Sequence, residues 1–222
     1  MIQAVIFDFD GLILNTEKVE YRVLQGLFRE HEAELPLDVW KECIGTQADF
    51  FDPVAYLEEQ IAKTVDREAF VSRRRERVLA ELEEEEALPG VENYLQAAKE
   101  LGMKIGLASS SDYQWVSGHL RRLGLLEFFD CIRTSDDVEQ VKPDPALYEL
   151  TAECLGVKPE EAIAFEDSRN GSLAAKRAGL YCVVVPNEVT ASMFFDDVDH
   201  RMASMAEMEL AALIDFLTHG EK

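Results

Sequence analysis

The sequence predicts an α/β fold: a doubly wound parallel sheet with an all-helical insertion after its first strand. Three observations carry this. Five short runs read as strands, and most are nearly all apolar instead of alternating, as strands covered on both faces are. Helical segments alternate with the later runs, the pattern of βαβ crossovers. One long stretch, from about Thr16 to Glu86, contains no convincing strand.

The first strand is QAVIFDF (Gln3 to Phe9). The insertion that follows shows apolar residues at helical spacing. These are Val19, Val23, Leu24, Leu27 and Phe28, then Val54, Leu57 and Ile61, then Phe70, Val71, Val78, Leu79 and Leu82. ALPGV (Ala87 to Val91) marks the return, with Pro89 and Gly90 breaking the helix. From there a helix (Val91 to Leu101) leads to MKIGLAS (Met103 to Ser109), and a second (Trp115 to Leu123) to CIRTS (Cys131 to Ser135). A third (Pro145 to Leu155) leads to AIAFED (Ala162 to Asp167), and a fourth (Ser168 to Ala178) to YCVVVP (Tyr181 to Pro186). The expected organisation is an α/β core of residues 1–15 and 87–222 and a helical unit of residues 16–86. Within that unit, RRRER (Arg73 to Arg77) reads as an exposed face laced with ion pairs, Arg77 preceding Glu81 by one turn. EEEE (Glu83 to Glu86) opposes the dipole of a helix C-terminus and predicts a soft turn beside the hinge.

Composition narrows the function. The 222 residues carry 22 Lys+Arg against 44 Asp+Glu, a formal net charge of -22, which repels polyanions and argues against a nucleic-acid partner. The same field repels a small anionic substrate unless a local cation holds it. The four cysteines, Cys43, Cys131, Cys154 and Cys182, are widely spaced, without zinc-ligand spacing, and read as buried reduced thiols. With no basic leader and no apolar run long enough to span a bilayer, the expected setting is a reducing cytoplasm, without a membrane partner.

In open parallel sheets ligands sit at the carboxyl ends of the strands. Asp8 and Asp10 end the first strand, Ser109, Ser110 and Ser111 the second, and Glu166 and Asp167 the fourth; Lys142, in VKPDP, follows the third. Carboxylates gathered at one edge need a positive charge among them, and oxygen-only ligands favour Mg2+ over zinc. On this reading Asp8 attacks phosphorus to give an aspartyl-phosphate. Asp10, two residues on, is general acid and then general base, and Gly11 turns the chain beneath the phosphate. Ser109 donates to a phosphoryl oxygen, while Lys142 and the ion neutralise the charge of the transferring group.

Each feature has a plainer explanation. Two aspartates after a strand can be a turn, Ser109 to Asp112 a helix cap, Lys142 a surface lysine, and Asp167 with Ser168 another cap. Their joint placement at strand ends, in order, is what independent accidents would have to reproduce.

DFDGLILNTE, LASSS, VKPDP and FEDSRNG together resemble the four motifs of the haloacid dehalogenase (HAD) superfamily, over Val5 to Gly171. The β-phosphoglucomutase-like phosphatase branch is nearest in appearance. The resemblance implies a Rossmann-like core with an inserted α-helical C1-type cap domain. It further implies Asp8 as nucleophile, and Asp10 as acid/base and, through its backbone carbonyl, metal ligand. Ser109 and Lys142 are then phosphate binders, Ser110 beside them in the substrate site, and Asp167 is a metal ligand with Glu166 beside it. Two departures stand out. Asn15 occupies a position where the family usually has Asp. Mutases of the branch carry a histidine near the position of Glu20 and an arginine shortly after the glycine corresponding to Gly45, and neither is present.

The expected function is therefore a Mg2+-dependent phosphatase acting on a small phosphorylated metabolite, with the helical cap excluding water. A phosphomutase ranks second, because a bisphosphate needs a second cationic site and Glu20 has the wrong sign. A non-catalytic phosphate-binding protein is the third reading, and dehalogenation is disfavoured by Asp10 and the acidic cluster. Trp40, Phe50, Phe51 and Arg73 to Arg77 are the cap positions expected to bear on the substrate.

Overall fold

The computed structural model of the chain describes residues 1–41, 44 and 51–220; Cys43, Gly45 and Phe50 lie outside the described residues. The chain opens with β1 (Ala4–Phe7) and then runs through α1 (Thr16–Glu30), α2 (Leu37–Lys41), α3 (Pro53–Ile61) and α4 (Arg67–Leu82). It returns through α5 (Val91–Glu100), β2 (Lys104–Ala108), α6 (Tyr113–Arg122), β3 (Cys131–Arg133), α7 (Ala146–Leu155), β4 (Ala162–Glu166), α8 (Arg169–Arg177) and β5 (Tyr181–Val184). A two-residue β6 (His200–Arg201) and α9 (Leu210–His219) complete it. The sequence reading contained neither of these last two.

All pairings are parallel and the strand order is β3-β2-β1-β4-β5-β6. Order reverses at β1 and β4: the chain leaves β1 towards β2 on one side, and β4 lies on the other. The crevice at such a reversal is where ligands enter open α/β sheets. Phe7 pairs with Phe165 in register, and the Asp8 N–H donates to the Phe165 carbonyl at 3.0 Å. That register sets Asp8 beside Glu166.

Alternation along β1 explains the layers. Val5 and Phe7 join a core with Tyr94, Leu95, Ile105, Leu107, Phe165 and Leu213, under α5 and α9. Ala4 and Ile6 face the opposite side with Ala108, Ala152, Ala162, Ala164, Ala174 and Ala175, a small-residue face on which α7 and α8 lie. Gly106 belongs to that closeness, since a Cβ there would sit 2.5 Å from Thr151 Cγ2 on α7. The first core is continuous with the apolar stripes of α1, α3 and α4, including Val19, Val23, Leu27, Phe28, Leu57, Phe70, Val78 and Leu82.

Two expectations need correction. Cys131 at the start of β3 and Cys154 near the end of α7 are joined in a disulfide with a Cα–Cα distance of 6.3 Å, so they are not free thiols; Cys182 is free and buried. Sequence distance hid the pairing, because β3 and α7 become neighbours only when the sheet forms. Arg77 does not pair along its own helix with Glu81. Both Arg77 and Arg73 reach Glu30 on α1 at 2.7 Å, and Glu81 is taken by Arg22, also on α1. The acidic run begins at Glu83, the C-cap of α4, and so sits at the helix end as expected; the Glu83, Glu84 and Glu85 N–H groups bond to Leu79, Glu81 and Leu82 carbonyls. Among the described residues no helix is long and apolar enough to cross a membrane.

Candidate active site

At the carboxyl end of β1 a buried network assembles around Lys142, which is 3% exposed. Its Nζ donates to Asp8 Oδ1 at 2.5 Å and to Glu166 Oε1 at 2.6 Å. Tyr148 on α7 donates its hydroxyl to the same Glu166 oxygen at 2.6 Å, and the ammonium lies 5.1 Å from the Tyr148 ring centre. Glu166 Oε2 accepts from the Ser168 hydroxyl at 3.3 Å. In so buried a network, losing one partner would leave the other uncompensated. Gly171 makes the arrangement possible: a Cβ there would lie 2.0 Å from the Glu166 carboxylate.

Asp167, the next residue, faces Asp8 across the strand reversal. Side-chain oxygens of Asp8, Glu166 and Asp167 can all lie within 4.8 Å of one another. Burial, with Glu166 and Asp10 adding to it and Lys142 opposing, pushes the Asp8 carboxyl up to about 8. Burial and the charges of Asp8, Glu166 and Glu17 raise Asp167 well above the ordinary carboxylate range. Asn187, after β5, anchors Asp167: its Nδ2 donates to Asp167 Oδ2 at 2.7 Å and to the Gly11 carbonyl at 3.1 Å. Gly11 has φ +82°, and a Cβ on it would meet Asp167 Oδ2 at 2.3 Å, so turn and close approach both demand glycine.

Asp10 lies on the other side of the site and accepts from three side chains. Trp115 Nε1 donates to its Oδ1 at 2.9 Å; the Ser111 hydroxyl donates to its Oδ2 at 2.6 Å and the Ser109 hydroxyl, weakly, at 3.4 Å. Ser109, at the end of β2, is fully buried and also accepts from the Ser111 N–H at 3.0 Å. Ser110 Oγ is buried without a partner among the described residues, and Ser110 lines the cavity.

That cavity has a volume of about 380 Å³, small for a ligand pocket. Its floor is Asp8, Asp10, Lys142 and Asp167; its opposite wall comes from the helices after β1, chiefly Thr16, Glu17, Glu20, Trp40 and Arg74. Arg74 donates from Nε and Nη2 to Glu20 Oε2, at 2.9 and 2.7 Å. Of the arginine run, Arg74 thus lines the cavity while paired with Glu20 of α1, and Arg73 and Arg77 pair with Glu30 at the far end of that helix. Burial, then Asp10, Glu20 and Asp8, push Glu17 up to about 8. Asn15 caps no backbone group through its side chain, and its buried Oδ1 has no partner among the described residues. Phe51 packs with Trp40 and Tyr56.

The donors present suit a hard divalent cation. Asp8 Oδ2 and Asp167 Oδ1 receive no protein donor among the described residues, their carboxyls resist ionisation as they stand, and every candidate ligand is oxygen. Glu166 is different, since Lys142, Tyr148 and Ser168 already occupy its oxygens. The site thus brings together Asp8, Asp10, Ser109, Ser110, Lys142, Glu166 and Asp167. Sequence reasoning missed Trp115, Tyr148 and Asn187 as members. Trp115 and Tyr148 fall inside expected helices and Asn187 follows the last expected strand, with no spacing that marks any of them as part of a site.

Residues 5–185 match the family model described as haloacid dehalogenase-like hydrolase. The chain is 62% identical over 217 residues to a protein of Bacillus subtilis (strain 168) named "Putative phosphatase YhcW", covering 98% of each. It is 32% identical over 180 residues to a phosphorylated carbohydrates phosphatase of Thermotoga maritima, covering 81% of this chain and 82% of that one. Among solved structures, CbbY from Rhodobacter sphaeroides in complex with phosphate superposes with a TM-score of 0.78 at 30% identity, over 96% of this chain and 100% of that one. A family match over residues 5–185, most of the chain, places this protein in the haloacid dehalogenase-like hydrolase family.

Proposed function

We propose that this protein is a Mg2+-dependent phosphoric monoester hydrolase for a small phosphorylated metabolite, working through an aspartyl-phosphate on Asp8. The observation that carries the reading is the placement of Asp8 at the cavity floor, oriented by Lys142, with Asp167 beside it and Asp10 within reach of a leaving group. Asp8 and Asp167, with the Asp10 carbonyl, would hold the ion, which supplies positive charge to the phosphoryl oxygens when bound.

The chain's own groups then divide the work. Lys142 holds Asp8 by Oδ1, leaving Oδ2 to attack phosphorus. As the Asp8–phosphorus bond forms and the ester P–O bond breaks, Asp10 gives its proton to the departing oxygen. Asp10, now ionised, takes a proton from water as that water attacks phosphorus, freeing phosphate and restoring Asp8. Ser110, with its unpartnered hydroxyl at the cavity, is placed to donate to a phosphoryl oxygen; Ser109 acts from beneath through Asp10 and the Ser111 N–H. Residues 16–86 serve as a cap over a core of residues 1–15 and 87–222, keeping bulk water from the intermediate. Lys18–Glu188 at 2.9 Å and Lys41–Ser192 at 2.6 Å tie the two parts at the rim.

A sugar or polyol phosphate fits the cavity's size and polarity, and the Thermotoga relative is named for phosphorylated carbohydrates. Phosphomutase stays second: among the described residues lining the cavity, each cation is already paired, Lys142 with Asp8 and Glu166 and Arg74 with Glu20. The cytoplasm is the proposed setting, since phosphate esters are anions that a bilayer retains. Asp8→Asn tests the reading. Phosphate release from every ester tried with the native protein should vanish while the circular dichroism spectrum is kept; turnover by that variant would overturn the nucleophile assignment.

A further inference from the structure

We propose that Trp115 is a positioning residue that fixes the orientation of the Asp10 carboxyl, so that Oδ2 alone exchanges the proton with the leaving group. The proposal rests on the reading of Asp10 as general acid and base.

An indole N–H can only donate, and Trp115 Nε1 lies 2.9 Å from Asp10 Oδ1. That oxygen is therefore held as an acceptor throughout the reaction. Oδ2 faces the Ser111 hydroxyl at 2.6 Å and the Ser109 hydroxyl at 3.4 Å, and a hydroxyl both donates and accepts, so both tolerate Oδ2 with or without a proton. The contacts at the two oxygens are unequal in kind, and their inequality sorts the oxygens into fixed and working ones.

Trp115 is itself held on two sides. Its backbone N–H donates to Asp112 Oδ1, the N-cap of α6, at 2.7 Å, which sets the first turn of the helix. Its ring meets His119, one turn on, edge-to-face at 4.4 Å. His119 in turn stacks on Phe9 with ring centres 6.2 Å apart, and Phe9 is the residue between Asp8 and Asp10. Indole and carboxyl are thus tied to the same short segment of chain, and Asp10 cannot swing without breaking either the hydrogen bond or this ring stack. Trp115→Phe deletes the donor together with one of the two fused rings and keeps an aromatic ring at the position.

Aryl phosphates graded from 4-nitrophenyl, a good leaving group, to phenyl, a poor one, separate acid catalysis from binding. In Trp115→Phe, kcat for phenyl phosphate should fall about 10- to 100-fold, the scale of a lost hydrogen bond to a charged group, with that for 4-nitrophenyl phosphate within about threefold and KM nearly unchanged for both. In an Asp10→Ala background the same substitution should add nothing. Replacing Trp115 with 3-benzothienylalanine, which keeps the bicyclic shape without the N–H, should reproduce the effect and stands in should the Phe variant fold poorly. Equal losses on both esters, or losses that add to those of Asp10→Ala, would overturn the positioning role while Asp10→Ala alone stayed selective for phenyl phosphate. An Asp10→Ala variant equally impaired on both esters would instead overturn the acid/base reading, and this proposal with it.

Discussion

The carboxyl of Asp8 shows how one residue's environment anticipates its ligand. Folding removes it from water and sets Glu166 and Asp10 near it, and Lys142 compensates only in part, so the folded chain keeps a proton on Asp8 up to about pH 8 that the unfolded chain releases near 3.8. An acid whose folded value is raised contributes stability that is complete below the unfolded value and is lost as pH rises through the folded one. Asp167 and Glu17 act in the same direction. The metal-free protein should therefore lose thermal stability between about pH 4 and about pH 8, and added Mg2+ should raise the melting temperature more at the upper end than at the lower, because the ion replaces the protons. Scanning calorimetry with EDTA or Mg2+ at several pH values checks this; a Mg2+ increment independent of pH would contradict it. At this scale much of the site was legible: Asp8, Asp10 and Asp167 sit within a few residues of a strand end, which hydrophobic runs reveal, while Lys142, well past β3, was marked by VKPDP. Trp115 and Asn187 were not, because their reach depends on the phase of α6 and the path of the loop after β5, which no spacing rule encodes.

Elements are fitted to the site as closely as side chains are. The first turn of α8 passes over Glu166, and only glycine at 171 leaves room for the carboxylate that carries Lys142 and Tyr148. Ser168 caps that turn by accepting from the Gly171 N–H at 3.1 Å. Gly171→Ala should therefore cost about 1–3 kcal/mol, the scale of core overpacking, although alanine is the better helix former. It should also lower turnover, since displacing Glu166 loosens Lys142. Urea unfolding and steady-state rates measure both; a variant as stable and active as the native chain would contradict the fit. Periodicity located α1, α4, α5 and α7 to within a few residues, but it could not say that α4 turns Arg74 to the cavity and Glu20, and Arg73 and Arg77 to Glu30 at the far end of α1. The two-residue β6 is too short to leave a pattern, and α9 went unread despite the apolar spacing of Leu210, Leu213 and Leu217. The Cys131–Cys154 bridge likewise depends on β3 and α7 meeting in space.

Taken whole, the molecule places a compact cationic point inside a chain of net charge -22. Lys142 supplies part of it, and on the proposed reading a divalent ion between Asp8 and Asp167 would supply the rest, so that a phosphate would meet attraction at the floor of one small cavity. Order reversal at β1 and β4 creates that floor, and the helices between β1 and β2 roof it. This much the order of the motifs foretold, because each motif follows a strand and parallel strands end on one edge. The central claim is that Asp8 is the atom donor to phosphorus. Acid quenching during turnover with Mg2+ and 4-nitrophenyl phosphate, followed by proteolysis and mass spectrometry, tests it most directly. The account predicts a phosphoryl adduct on the peptide Val5 to Glu17, localised to Asp8; an adduct on Ser110 or His119, or turnover without any covalent phosphate, would contradict it.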